Sequence, residues 1–600
     1  MTPRSHRPPV YWLLLGLAAC SSSTSGGGNG GSSATGGANQ SGGQVGSGGA
    51  SSNGGVTGTG GRSSQSGGAP GSGGNAAGGS VATGGTKAST GTGGNAAGGS
   101  TGGASSSTGG GGGTATGGST GGGTTPASTG GRAGGTTGTG TTATTGGTTG
   151  TGGACPALPT AAVASKDIIE FNDNGGWCWY QDERAVVDAK GGKFVIGSVA
   201  SGGSRDSDQE VVIYDVASAS KKKYTLESDL NVDDHNAPAF VVNPDGTYAA
   251  IWATHRDTCY SYYSTFNGTA WAAYKKYDWS ADGCPWDAAS NPSPAHKVTY
   301  ANPWYLSAED KILSPTRSVS TSPASLQSTD GGSTWKFYGR LTSTKTVGYV
   351  AGYYKYWGNG VDRIDFVGTE AHPRDADNSL YHGYYKGGKL YDSNDKAVDD
   401  NAGDTNAQDI TAFTKVFATG SSVGGTKICR MWNHDIVRYD DGTIAILGQG
   451  RADNCTSTPS GSDPDKRMIY LRWDGKTWKS TYLVKTGPKL YADEEDYTGL
   501  SAVHPDNPNV IFVSTAIDPR DDKTVLSKRE IFMGVTCDNG ATFKWAPITE
   551  KSTMDNIRPV VPKWDASHTL LLWMNGTYRK AQDYTMKIVG TTVLLPPTAH

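Results

Sequence analysis

Between Ile168 and Gly590 the chain repeatedly shows a short apolar or alternating run, a polar turn, and a second run of the same kind. Ala239-Phe240-Val241-Val242 and Val510-Ile511-Phe512-Val513 are typical of these runs. A period of two over four to eight residues describes strands, and the turn between two of them describes a hairpin. Seven such turns stand out: Ala189-Lys190-Gly191-Gly192, Asn243-Pro244-Asp245-Gly246, Ser307-Ala308-Glu309-Asp310, Trp357-Gly358-Asn359-Gly360, Tyr439-Asp440-Asp441-Gly442, Pro505-Asp506-Asn507-Pro508 and Asp565-Ala566-Ser567-His568. From Ala189 to Asp565 is 376 residues, about 63 per step over six steps, which is room for one four-stranded sheet per step. Long helical periodicity is nearly absent. The pattern predicts an all-β chain folded as a seven-bladed β-propeller.

A second repeat agrees. Ser328-Thr329-Asp330-Gly331-Gly332-Ser333-Thr334-Trp335 fits the Asp-box pattern S-x-D-x-G-x-T-W. Asp538-Asn539-Gly540-Ala541-Thr542-Phe543 is a looser copy and Asp474-Gly475-Lys476-Thr477-Trp478 a truncated one. Such a turn lets its Asp cap backbone N–H groups while the aromatic residue packs between sheets. It speaks for architecture and not for activity.

Composition divides the chain. Of its 91 glycines, 54 fall between Ser21 and Ala154, where there is no aromatic residue and only Arg62, Lys87 and Arg132 carry charge. That stretch has too little apolar surface to offset its ordering entropy, and is expected to be a disordered tether of roughly 60–70 Å r.m.s. span. Residues 155–600 hold 46 basic and 54 acidic residues, a formal charge of −8. A surface built to coat a polyanion is excluded, and nucleic acid with it.

Residues 1–20 read as an export signal: Arg4 and Arg7, then the apolar run Val10 to Leu17, then Leu17-Ala18-Ala19-Cys20. The run is too short to span a membrane. The ending resembles the bacterial lipobox, which implies lipidation of Cys20 and a membrane anchor at the head of the tether 21–154. By resemblance to Gram-negative sorting, Ser21 points to the outer membrane, facing the periplasm or the cell surface. Cysteine usage fits export. Cys259 with Cys284 and Cys429 with Cys455 are spaced as loop disulfides, the odd count of seven beyond Cys20 leaves a thiol over, and no CxxC pair suggests a zinc ribbon.

Hairpin pairing then locates chemistry. Counting outward from the Asn243–Gly246 turn puts His235 opposite Thr254 or His255. Counting from Ser307–Asp310 puts Tyr300 opposite Arg317. In successive blades these open ends share one face, so His235, His255, Tyr300 and Arg317 are expected to converge. Asn236, His372, Arg374 and His434 are expected to bind substrate, with Arg430 and Arg451 adding positive field. Paired carboxylates of the glycosidase kind are not evident, because Asp and Glu fall mainly in turns.

Four segments carry a resemblance. Gly175-Gly176-Trp177-Cys178-Trp179-Tyr180-Gln181-Asp182-Glu183-Arg184-Ala185, Asp233-Asp234-His235-Asn236-Ala237-Pro238-Ala239, Leu490-Tyr491-Ala492-Asp493-Glu494-Glu495-Asp496-Tyr497-Thr498-Gly499-Leu500 and Asp555-Asn556-Ile557-Arg558-Pro559 resemble the signatures of the BNR-repeat propeller family that includes ulvan lyases. The resemblance implies a polysaccharide lyase acting by β-elimination at a uronic acid, with His235, His255, Tyr300 and Arg317 as its active site. Arg317 would neutralise the carboxylate, Tyr300 and His235 would move protons, and His255 would position or share that role. No cation is then required for catalysis, a structural metal is left unassigned, and a monomer is expected. On the same scaffold the alternatives are an α-L-rhamnosidase-like hydrolase and a non-catalytic glycan-binding propeller. The inserts Cys259–Cys284 and Asp392–Ile428 look peculiar to this chain.

Overall fold

The computed structural model describes residues 157–593 apart from 229, 256, 283, 285–297, 320, 321, 344–351, 453, 454, 456–462, 493 and 566. The export segment with Cys20, the tether and Cys155 lie outside these residues.

Each of the seven turns joins the innermost strand of a sheet to the next strand outward. In blade 1 the strands are Ala185–Asp188, Lys193–Val199, Gln209–Asp215 and Ser220–Glu227; in blade 2, Ala239–Val242, Tyr248–Ala253, Tyr260–Phe266 and Lys275–Asp278; in blade 3, Trp304–Leu306, Lys311–Val319, Ser322–Ser328 and Lys336–Arg340. Blades 4, 5 and 6 start from Tyr354–Gly358, Thr426–Arg438 and Ser501–Val503. Blade 7 takes Asp555–Val560, Thr569–Lys580 and Asp583–Val593 from one end of the domain and its outermost strand, Ile169–Asn172, from the other. Ile169 pairs with Gly590 and Glu170 with Val589, so hydrogen bonds between the two ends close the ring of seven sheets. The architecture is all-β, with helix limited to short 3-10 turns among the described residues.

The side chains explain the layering. Second strands are sandwiched between neighbouring sheets, and all six residues of Tyr248–Ala253 and all eight of Val510–Ile517 are buried. Outer strands meet water. Lys221, Lys222 and Lys223 are exposed on Ser220–Glu227, the charged dressing that keeps a sheet edge from pairing with another chain.

The patterned turns bond alike. Gly332 N–H donates to Ser328 Oγ and Thr334 N–H to Asp330 Oδ1, each at 2.9 Å. Gly540 N–H donates to Thr536 Oγ1 at 2.8 Å and Thr542 N–H to Asp538 Oδ1 at 2.9 Å. Trp335 is buried in the core between blades 2 and 3.

Both expected disulfides are present, Cys259–Cys284 and Cys429–Cys455, with Cα atoms 5.7 and 5.1 Å apart. Cys537 is also disulfide-bonded, and Cys178 is a buried free thiol. The 392–428 stretch carries short strands. Ala397–Asp399 widens blade 4, Thr414–Phe417 pairs with Leu380–Lys386, and Ser421–Val423 pairs with the inner strand of blade 5.

Candidate active site

Because all seven turns lie on one face, the starts of all inner strands lie on the other. There Trp179, Tyr180, Tyr300, Tyr353, Trp432 and Tyr497 come from the inner ends of blades 1, 3, 4, 5 and 6 and touch one another, with ring centroids 4.7–5.5 Å apart in the closest pairs. All six are buried. The propeller axis is thus filled on this face by an aromatic floor.

On the blade 2 and 3 side of that floor stand the four expected residues. His235 sits in a 3-10 turn, Asp234–Asn236, whose preceding residue Asp233 accepts from the His235 N–H at 3.0 Å. His255 follows the second strand of the same blade. The rings stack with centroids 3.7 Å apart and planes 8° apart. His235 in turn lies 5.6 Å from the Tyr300 ring, and the Arg317 guanidinium lies 4.7 Å from that ring and 5.5 Å from that of blade 4's Tyr353. Paired backbone hydrogen bonds between Thr299 and Arg317 set that end of the hairpin, within one residue of the expected register.

One carboxylate organises the imidazoles. Asp233 Oδ1 lies 2.6 Å from His235 Nδ1 and Oδ2 lies 2.8 Å from His255 Nδ1. Gln582 also donates to Asp233 Oδ2. Both Nε2 atoms are therefore turned away from the carboxylate. Beneath, Asp234 accepts from Tyr578 Oη at 2.7 Å and pairs with Arg558 Nη1 at 2.5 Å, and Arg558 is fully buried.

These surroundings separate the protonation states. Burial opposes charge on His235, but the Cys178 sulfur and the carboxylates of Asp233 and Asp234 outweigh it and hold its pKa well above the ordinary value. Burial, then the charge of His235, pushes His255 down to about 4 against the pull of Asp233. Burial, then the Cys178 sulfur, keeps the Tyr300 phenol well above its usual range, against Arg317. Near neutral pH the group is an imidazolium, a neutral imidazole, a phenol and a guanidinium. Tyr300 Oη is buried with no hydrogen-bond partner among the described residues.

The expected substrate-binding residues divide. His372 meets Tyr353 edge-on at 5.1 Å, so it continues the arc from His255 through Tyr300 and Arg317. Its Nδ1 accepts from Arg374 N–H at 3.0 Å, and Arg374 bonds Glu494 at 2.7 Å. Asn236 is buried with its amide donating to the Asn231 carbonyl at 2.8 Å, which is a local role. His434 is elsewhere. It donates or accepts at Ser501 Oγ, 2.9 Å away, and shares an interior cavity with Asp182, Glu183 and Asp435, walled by Trp179. Arg430 bonds the Pro373 carbonyl and Arg451 pairs with Asp496 at 2.7 Å.

Among the described residues, two sets of ligand-type atoms lie within 4.8 Å, Cys178–Asp234–His235 and Asp233–His235–His255. In both, His235 Nδ1 already faces Asp233, so these contacts are those of a hydrogen-bonded network and not of a ligand shell. Asp233, Asp234, Arg558 and Tyr353 are members of the site that residue typing overlooks, although the first three lie inside the segments 233–239 and 555–559 that carry the resemblance.

No protein-family model and no curated protein sequence matches this chain. Among solved structures, an ulvan lyase of polysaccharide lyase family 25 bound to -[GlcA(1-4)Rha3S]- is similar at 12% identity over 71% of this chain and 97% of that one, with a TM-score of 0.50. A second structure of such an ulvan lyase gives 13% identity over the same shares and a TM-score of 0.51. An α-L-arabinofuranosidase from Fusarium graminearum covers 71% of this chain and 98% of its own at 12% identity, with a TM-score of 0.36. At these identities the likeness is one of fold.

Proposed function

We propose that this chain is an exported, lipid-anchored polysaccharide lyase of the BNR-repeat propeller kind that cleaves a uronic-acid-containing glycan by β-elimination. The observation that carries the reading is the meeting of His235, His255, Tyr300 and Arg317 at one point on the inner-strand face.

The reaction needs three things: a neutralised uronate, a base at C5 and an acid at the leaving oxygen. Arg317, a permanent cation with a planar fork, and cationic His235 suit the carboxylate. His255 is neutral and its side chain is 17% exposed against 4% for His235, so its Nε2 is the better placed to take the C5 proton. As the C4–O bond breaks, the Tyr300 phenol gives its proton to the glycosidic oxygen and C4 and C5 become doubly bonded. His255 then releases its proton to solvent and Tyr300 regains one from it. The carboxylates on this face favour the lyase over a hydrolase, since Asp233 and Asp234 are engaged with the histidines and Arg558, and Glu494 with Arg374.

The test is incubation with a panel of uronate polysaccharides, following absorbance of the unsaturated uronyl product. Reducing ends without that absorbance would make the chain a hydrolase, and neither signal would favour a glycan-binding propeller. For the anchor, labelled palmitate should enter the wild type and not Cys20→Ala; equal labelling would rule the anchor out.

A further inference from the structure

We propose that Asp233 is the positioning residue of this site: its two carboxylate oxygens hold both stacked imidazoles by Nδ1, so that both present Nε2 on the same side. The inference rests on the reading of the site as a proton-transfer centre.

A carboxylate offers about four acceptor positions, and Asp233 has four donors around it. Oδ1 receives the backbone N–H and the Nδ1–H of His235 at 3.0 and 2.6 Å. Oδ2 receives the Nδ1–H of His255 at 2.8 Å and the side-chain amide of Gln582. With every donor satisfied, cationic His235 has a defined orientation and neutral His255 a defined tautomer. His255, protonated at Nδ1, keeps its Nε2 lone pair for a substrate proton.

The arrangement makes an asymmetric demand of Asp233→Asn. An amide has one acceptor oxygen and one donor NH2. Its oxygen must stay on the His235 side, where a fixed backbone N–H admits no donor. The NH2 then faces His255, and His255 can meet it only by accepting at Nδ1 and carrying its proton on Nε2. Gln582 can adapt by rotating its amide. One substitution of nearly equal size therefore removes the basic lone pair of His255, while His235 keeps an acceptor for its Nδ1–H and still has Asp234 2.8 Å away when the charge of Asp233 is gone.

The experiment uses the full chain with 15N-labelled histidine. The wild type should show Nδ1–H for the neutral ring, and Asp233→Asn should move that ring to Nε2–H. On a polymer the wild type cleaves, kcat should fall about 10³-fold or more with KM within about threefold, since a positioned base with the wrong tautomer fails in the chemical step. Lys222→Ala, on the exposed outer strand of blade 1, should keep the wild-type tautomer and a kcat within about threefold. If Asp233→Asn fails to fold, the wild-type spectrum still decides, because Nε2–H on the neutral ring overturns the proposal. An unchanged tautomer in a folded Asp233→Asn overturns it too. The spectra need no substrate, so absence of cleavage would count against the proposed activity alone.

Discussion

Tyr300 has φ 68°, a left-handed backbone that bulky side chains rarely adopt, and Arg430, Leu500 and Arg558 on the same face share it at 54°, 69° and 54°. Tyr300 and Leu500 come just before an inner strand, and Arg430 and Arg558 sit where inner-strand pairing slips register. A bulge there turns a side chain out of the strand's alternation and onto the face of the ring. Two substitutions probe the chemistry this delivers. Tyr300→Phe removes only a proton and should lower kcat by about 10²–10⁴ with little change in KM, measured by steady-state kinetics on a cleaved polymer. Arg317→Lys keeps the charge but loses the fork, and should lower kcat/KM about 10²-fold while thermal unfolding is unchanged. A third probes the support. Arg558→Met leaves Asp234 buried without its cation and should destabilise the fold by about 3–5 kcal/mol in urea unfolding.

At the scale of elements, each hairpin places a pair of residues and the loops beyond it decide how firmly they are held. Cys429 precedes Arg430, and its disulfide to Cys455 closes a segment of sequence separation 26 that contains blade 5's turn and Arg451. Loop closure of that length stabilises by about 3–4 kcal/mol in the chain-entropy account. Cys429→Ala with Cys455→Ala should therefore lower the urea midpoint accordingly, whereas an unchanged midpoint would mean that neighbouring sheets alone hold the loop. The pairing rule that joins His235 to His255 is legible in a sequence because residues on a hairpin sum to a constant: Ala239 pairs with Ile251, and the same sum joins 235 to 255. His434 shows where the rule stops. It starts a comparable hairpin, but its inner strand runs on through Thr426–Arg438 with two register shifts, and the ring is turned into the interior cavity.

For the propeller as a whole, the buried ionisable groups predict how stability depends on pH. His255, His434 and His504 are lowered by burial to about 4, 3 and 3, so below about pH 6.5 the unfolded chain binds protons that the fold does not, and acid destabilises. Glu183, Glu494 and Asp435 are raised by burial to about 8, 7 and 6, so the fold holds protons that the unfolded chain has released, and stability falls as pH rises through those values. His235, also raised, adds to the alkaline loss. Between about pH 4.5 and 6.5 the opposing sets offset one another. Unfolding free energy should therefore be flat there and decline on both sides, and Glu183→Gln should flatten the alkaline side. A monotonic rise from pH 5 to 8 would contradict this balance. Ring closure makes a further prediction. A chain beginning after Asn172 lacks the outermost strand of blade 7 and exposes the edge of Asp583–Val593, so it should melt lower or aggregate.

The number of blades, the inner hairpin of each and the identity of the facing pairs are contained in the sequence, because alternation and turn chemistry are local and hairpin pairing follows from counting, whereas the added strands of blades 4 and 5 and the borrowed outer strand of blade 7 are not. The four residues that meet could be grouped for that reason, and the two loop disulfides could be paired from their spacing. What local rules do not contain is contact between blades. That Arg558 of blade 7 supports Asp234 before blade 2, that Tyr353 of blade 4 backs Arg317 of blade 3, and that Gln582 of blade 7 reaches Asp233 are consequences of closing the ring. The chemistry of His235 and His255 belongs to the same class. Their types are written in the chain, but which of them carries the proton is decided by three anionic or polarisable neighbours and a cation that only the tertiary structure assembles around them.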